Sequence, residues 1–170
     1  KPKTAGSVDI WADNTWLALE SKEIEGFSAP TTESTIAEIG GTGKRITTVG
    51  AYVTRDTYKT ATTSGKLDET TGDSGSFSSC GPTADGRVKP DISAPGCFII
   101  SALSAYDESG TKIVAYSHEA DGRTSEYGYM QGTSMASPFV AGVVATWLQA
   151  CPTLTPEALK EIIISTSRQD

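Results

Sequence analysis

The run from Gly132 to Ala150, GTSMASPFVAGVVATWLQA, constrains this chain more than any other part of it. Met135, Phe139, Val140, Val143, Val144, Trp147 and Leu148 cover more than one helical stripe, and Ala136, Ala141, Gly142 and Ala145 fill the gaps with small side chains. A helix that is apolar or small nearly all round is expected to be buried. Its start carries chemistry. A helix N-terminus presents unpaired N–H groups and the positive end of the helix dipole. Ser134, preceded by Gly132 and Thr133, therefore aims its own N–H at whatever binds in front of it, which is half of an oxyanion hole. The plainer reading is that Ser134 merely caps the helix. Pro138 falls in the first turns, where proline costs least.

Other segments suggest strands interleaved with helices, an α/β pattern. Residues 46–54 (ITTVGAYVT) are rich in β-branched residues and predict a strand. Residues 55–75 are heavy in Thr, Ser, Asp and Gly and read as a long surface loop, with Asp73-Ser74-Gly75 as a turn. Residues 97–103 (CFIISAL) form a compact apolar strand. Residues 112–117 alternate, Asp121-Gly122-Arg123 makes a hairpin turn, and the chain returns over 125–130. A last helix is marked by Thr155 as N-cap, Pro156 at the first helical position and Glu157 in the first turn. Residues 1–30 suggest one or two short strands around Val8, Ile10, Trp16, Leu17 and Leu19.

Composition excludes several functions. The 170 residues are 37% hydrophobic and 21% charged, enough for one domain with a core. A net charge of -7, with scattered Lys and Arg, argues against a nucleic-acid or polybasic membrane surface. No run of about 18 apolar residues exists to span a bilayer. Lys1-Pro2-Lys3-Thr4 has no apolar stretch behind it, so any signal peptide is expected upstream. The three cysteines, Cys80, Cys97 and Cys151, are widely spaced without a CxxC and read as small buried hydrophobes, with one disulfide among them left open.

Residues 132–142, GTSMASPFVAG, resemble the nucleophile motif of the subtilase family of serine proteases. Three further blocks agree, in family order: ITTVGAYV, SFSSCGP and KPDISAPG. The resemblance implies a partial subtilisin-like three-layer α/β/α fold with a mostly parallel sheet, lacking its N-terminal strands. It implies that Ser134 is the nucleophile, that its N–H and the Thr133 hydroxyl support the oxyanion, and that Met130, Gln131, Gly132 and Met135 border the substrate cleft. Phe139 stands where the family often has His, a change expected to touch packing alone. Residues 31–170 would be the C-terminal half of the catalytic domain. Residues 1–30 would be a linker or the tail of an upstream β insertion, of the jelly-roll-like kind some subtilases carry. Peptide or protein substrates and an exported setting (secreted, periplasmic or cell-surface) are likewise implied. The family often binds calcium, but no segment here forces a metal or cofactor site.

Serine needs a base, and the base needs an orienting carboxylate. The one histidine, His118, precedes Ser134 by 16 residues and lacks the family's His-Gly-Thr-His setting, so it reads as an exposed hairpin residue. Asp73-Ser74-Gly75 falls too late in chain order for the catalytic Asp, and Asn14 lacks the Gly-Asn-x-Gly setting of the oxyanion Asn. The sequence therefore predicts a fragment that is inert alone, pairs with the missing N-terminal half, or self-associates. The alternative is a pseudoprotease or peptide-binding module on the same scaffold. Another serine hydrolase is disfavoured by the lack of a Gly-x-Ser-x-Gly elbow.

Overall fold

The computed structural model describes residues 6, 8–11, 31–41, 43–108, 113–118 and 120–167. The elements in chain order are helix α1 (Glu38–Gly41), strands β1 (Val49–Tyr52), β2 (Thr57–Lys59), β3 (Ser64–Lys66), β4 (Ile92–Pro95), β5 (Ile99–Ala102), β6 (Ile113–His118) and β7 (Thr124–Met130), then helices α2 (Thr133–Ala150) and α3 (Pro156–Thr166). This is the expected mixed α/β composition with a parallel pairing at its centre. β1 runs parallel to β4, in register Val49 with Ile92 and Tyr52 with Pro95. β6 and β5 flank β7 in a three-stranded antiparallel sheet. Of the proposed N-terminal strands, Val8 and Ile10 lie in irregular backbone, and Trp16, Leu17 and Leu19 fall outside the described residues, as does Asn14.

Three sequence blocks converge where α2 crosses the parallel pair. Ala51 of β1, Ala94 of β4 and Ala136 of α2 form one buried cluster, with Val49, Phe77 and Val140 packed around it. An alanine from each block lets helix and strands approach closely. The FSS block has a defined job here. The Ser78 hydroxyl accepts the Ala51 N–H at 2.9 Å, and the Gly75 N–H donates to the Ala51 carbonyl at 2.9 Å.

Residues 55–75 are not simply a loop. They contain the β2–β3 hairpin, and Ser74 bridges antiparallel to Tyr52, so Asp73 to Gly75 line the second edge of β1 instead of making a free turn. Polar composition marks exposure, yet the hairpin satisfies its backbone within itself, and residues 73–75 satisfy theirs along β1.

The burial of α2 also departs from expectation. Of its residues only Ala136 is buried, while Phe139 is 57% and Val143 37% exposed. One side of the helix meets β1 and β4; the described residues place no layer over the other. Cys97 alone of the cysteines is buried, Cys80 and Cys151 being exposed, and all three are free thiols. Each of those two lies outside the helices and strands beside a hydroxyl, Cys80 near Thr35 and Cys151 near Thr153.

α3 starts as its sequence requires: Thr155 Oγ1 accepts the Ala158 N–H at 3.2 Å, and Pro156 opens the helix. A buried ionic cluster fastens α3 to the sheet. Asp91, just before β4, receives the Thr48 N–H at 2.7 Å and the Lys89 ammonium on one oxygen, and the Lys160 ammonium of α3 at 2.8 Å on the other. The Lys89 and Asp91 side chains are 1% and 4% exposed. Burial pushes the Asp91 carboxyl up, but hydrogen bonds from Lys160, Lys89 and Thr48 outweigh it and hold the group below its ordinary value.

Candidate active site

The segment 130–135 leaves β7, turns at Gly132 and enters α2. Gly132 is the N-cap, with φ 145° and ψ 163°, and no side chain caps the helix. That backbone region is essentially restricted to glycine. Thr133 and Ser134 are thus the first two helical residues, and the capping role open to Ser134 from sequence is not the one it takes. The first intrahelical partner of the Gly132 carbonyl is the Met135 N–H at 3.0 Å. Among the described residues the Ser134 N–H meets no acceptor and its hydroxyl no side-chain partner. Pro138 lies deeper than a first-turn proline: it has no N–H to give the Ser134 carbonyl four residues back. The front of α2 is therefore a set of free polar groups around one exposed serine.

The other candidates surround it. Thr133 and Met135 are half-buried, and the Met135 sulfur lies beside Gly132. Met130, 40% exposed, and Gln131, also exposed, border the front of the helix from the end of β7.

Gly132 is fixed from below by a residue that sequence reading assigned no role. Its N–H donates to the Gly96 carbonyl at 2.8 Å, and the Gly96 N–H donates to the Tyr52 carbonyl of β1 at 3.2 Å. A β-carbon at Gly96 would overlap that of Ala51 and crowd the Gly132 carbonyl. The signal in the sequence was the glycine closing KPDISAPG, whose need for close approach only the folded contacts reveal. Next to it, the buried Cys97 thiol points to Gln131 Oε1 at 3.8 Å. Burial, then the Glu69 carboxylate, push this thiol's pKa up, so it stays protonated and able to donate. Phe98 follows with φ 52°, a left-handed conformation that costs a non-glycine residue roughly 1–2 kcal/mol.

His118 is not placed against Ser134. It ends β6 opposite Thr124, with Nδ1 3.2 Å from the Thr124 hydroxyl. Thr124 begins β7 and Met130 ends it, so at strand rise the two ends are about 20 Å apart. Asp73 is held along β1, where its carbonyl accepts the Val53 N–H at 2.9 Å. Among the described residues no cluster of three or more His, Cys, Asp or Glu is placed to hold a metal ion.

Comparison with known proteins gives the family. The description of the subtilase family matches residues 25–170. The chain belongs to the subtilase family. This subtilase is 40% identical over 138 residues to the serine protease AprX of Bacillus subtilis, covering 81% of the chain and 28% of AprX. It is 34% identical over 166 residues to the minor extracellular protease Vpr of the same organism, covering 97% of the chain and 18% of Vpr. The subtilisin-like protease SBT4.3 of Arabidopsis thaliana is 39% identical over 94 residues, 54% of the chain and 12% of that protein. The chain thus spans less than a third of each of these relatives. No solved structure matches it. The family is one of serine peptidases. The matched stretch begins at residue 25, and a jelly-roll insertion before it rests on residues mostly outside the described ones.

Proposed function

We propose that this chain supplies the nucleophile segment of a subtilisin-like serine endopeptidase, with Ser134 as the acylated residue. The observation that carries this reading is an exposed serine at the second position of α2, in front of N–H groups left free by a glycine cap. In the reaction a base takes the Ser134 Oγ proton as the oxygen attacks the scissile carbonyl. The tetrahedral oxyanion forms beside the Ser134 N–H, with the Thr133 hydroxyl in support. The intermediate collapses, the amine leaves with that proton, and the acyl group remains as an ester on Ser134 until water hydrolyses it. Met130, Gln131, Gly132 and Met135 line the path of the peptide.

The base, its orienting carboxylate and the second oxyanion donor come from outside these 170 residues, from the remainder of the catalytic domain. The placement of His118, a strand length from Met130, supports this. In subtilisin itself, loss of the serine or histidine lowers kcat by about 10⁶, and an oxyanion donor is worth roughly 10²–10³. The isolated chain is accordingly inert. Its partners are the rest of the domain and peptide or protein substrates; an exported location follows the description of Vpr as extracellular.

A fluorophosphonate probe tests the reading. The whole protein should gain the phosphonyl mass on Ser134, Ser134→Ala should gain none, and the 170-residue chain should label at least about 10³-fold more slowly. Absence of labelling in the whole protein would favour a peptide-binding scaffold without catalysis.

A further inference from the structure

We propose that Phe98 is a positioning residue that sets where the Ser134 segment lies, a role that rests on the nucleophile reading above. Residues 96–99 form a template for residues 129–132. The Gly96 carbonyl holds the Gly132 N–H at 2.8 Å, the Cys97 thiol meets Gln131 at 3.8 Å, and Ile99 pairs in register with Met130. Phe98 completes the series with its ring stacked on Tyr129, centroids 4.2 Å apart and planes 25° from parallel. Each residue of one segment thus engages the run leading into Ser134.

The template must bend, because the chain leaves β4 in one sheet and enters β5 in another within three residues. The bend falls at Phe98, φ 52°, in a region where a bulky side chain is an outlier. Such a conformation persists only when its surroundings over-determine it, and it concentrates at functional sites. Here the surroundings are rings. Phe98 is 3% exposed, Tyr58 of the β2–β3 hairpin stands 5.7 Å from it and 6.1 Å from Tyr129, and the Arg55 guanidinium lies 5.9 Å from its centroid. The cluster holds the bend on one side, and the Gly96 carbonyl and Cys97 thiol transmit it to Gly132 and Gln131 on the other. Without the ring the bend relaxes, the Gly96 carbonyl shifts, and the free N–H groups two residues beyond Gly132 lose their aim.

Two measurements decide this. In the whole protease, amide exchange over residues 127–135 should quicken about 10-fold in Phe98→Ala and return to the wild-type rate in Phe98→Tyr. In the whole protease, turnover per titrated active site should fall about 10-fold in Phe98→Ala with KM within about 2-fold, as expected of a displaced rather than deleted oxyanion donor. Phe98→Tyr should restore it. Tyr58→Ala, which removes one ring from the hairpin and leaves the Phe98 backbone untouched, should move both readouts in the same direction by about 3-fold. Unchanged exchange and unchanged turnover per site in Phe98→Ala, or in Tyr58→Ala where Phe98→Ala does not fold, overturn the proposal. A whole protein that never labels at Ser134 sinks the nucleophile reading instead; the exchange data then still report whether Phe98 orders the segment.

Discussion

Gly132 shows how much one residue can decide. A β-carbon there would find only the Ser134 nitrogen at 3.7 Å and the Met135 sulfur at 3.9 Å, so space is not the constraint. The constraint is the dihedral pair itself. Gly132→Ala is therefore expected to cost about 1–3 kcal/mol of stability and to slow Ser134 labelling at least about 10-fold. Urea unfolding and fluorophosphonate kinetics measure the two, and an alanine variant indistinguishable in both would show that the cap is not strained. Gly96 is the converse case, where the backbone is ordinary and the neighbour leaves no room. Gly132 stands out in the sequence because it precedes a serine at a helix start. Gly96 does not, because nothing local distinguishes a glycine chosen for close approach across 36 residues from one chosen for a turn.

Among the elements, α3 is the one whose attachment is chemically explicit. Its start was legible, because Thr155, Pro156 and Glu157 are local signals. Its anchor to the sheet was not: Lys160 meets Asp91 across 69 residues, and a lysine on a polar helix face looks solvated in sequence. Asp91→Asn leaves the Lys89 ammonium buried without its counter-charge and should cost about 3–5 kcal/mol. The folded Asp91 carboxyl titrates below its ordinary value. The folded state thus favours the ionised form, and the gain is complete above the ordinary aspartate pKa of about 3.9. It is lost as pH falls further, through the lowered folded value. Urea midpoints taken from pH 7 down to pH 3 should show a step of wild-type stability loss below about pH 4 that Asp91→Asn lacks. Parallel curves for the two would exclude the cluster as the source. The exposed Arg45–Glu157 pair, by contrast, should contribute almost nothing.

For the whole molecule, the telling observation is α2. Its sequence is that of a helix covered on all sides, yet Phe139 and Val143, one turn apart, face outward. Exposed apolar surface of this kind drives association. The isolated chain is expected to scatter light as a species heavier than its 17.8 kDa monomer, and Phe139→Ser with Val143→Ser to shift it toward the monomer. Adding the remainder of the catalytic domain should give a one-to-one complex and restore labelling of Ser134. A monodisperse monomer at micromolar concentration would refute the idea that this face needs a cover.

The sequence by itself determined the family, the extent of α2, the start of α3, the hairpin of β6 and β7, and the candidate Ser134, because caps, turns and an eleven-residue motif are local and survive without neighbours. Tertiary structure decided that Ala51, Ala94 and Ala136 share one core and that Gly96 seats Gly132. It also decided that the polar stretch after β1 closes an edge, and that His118 stands a strand length from Met130. These are distances between residues far apart in the chain, and side-chain chemistry alone does not encode them.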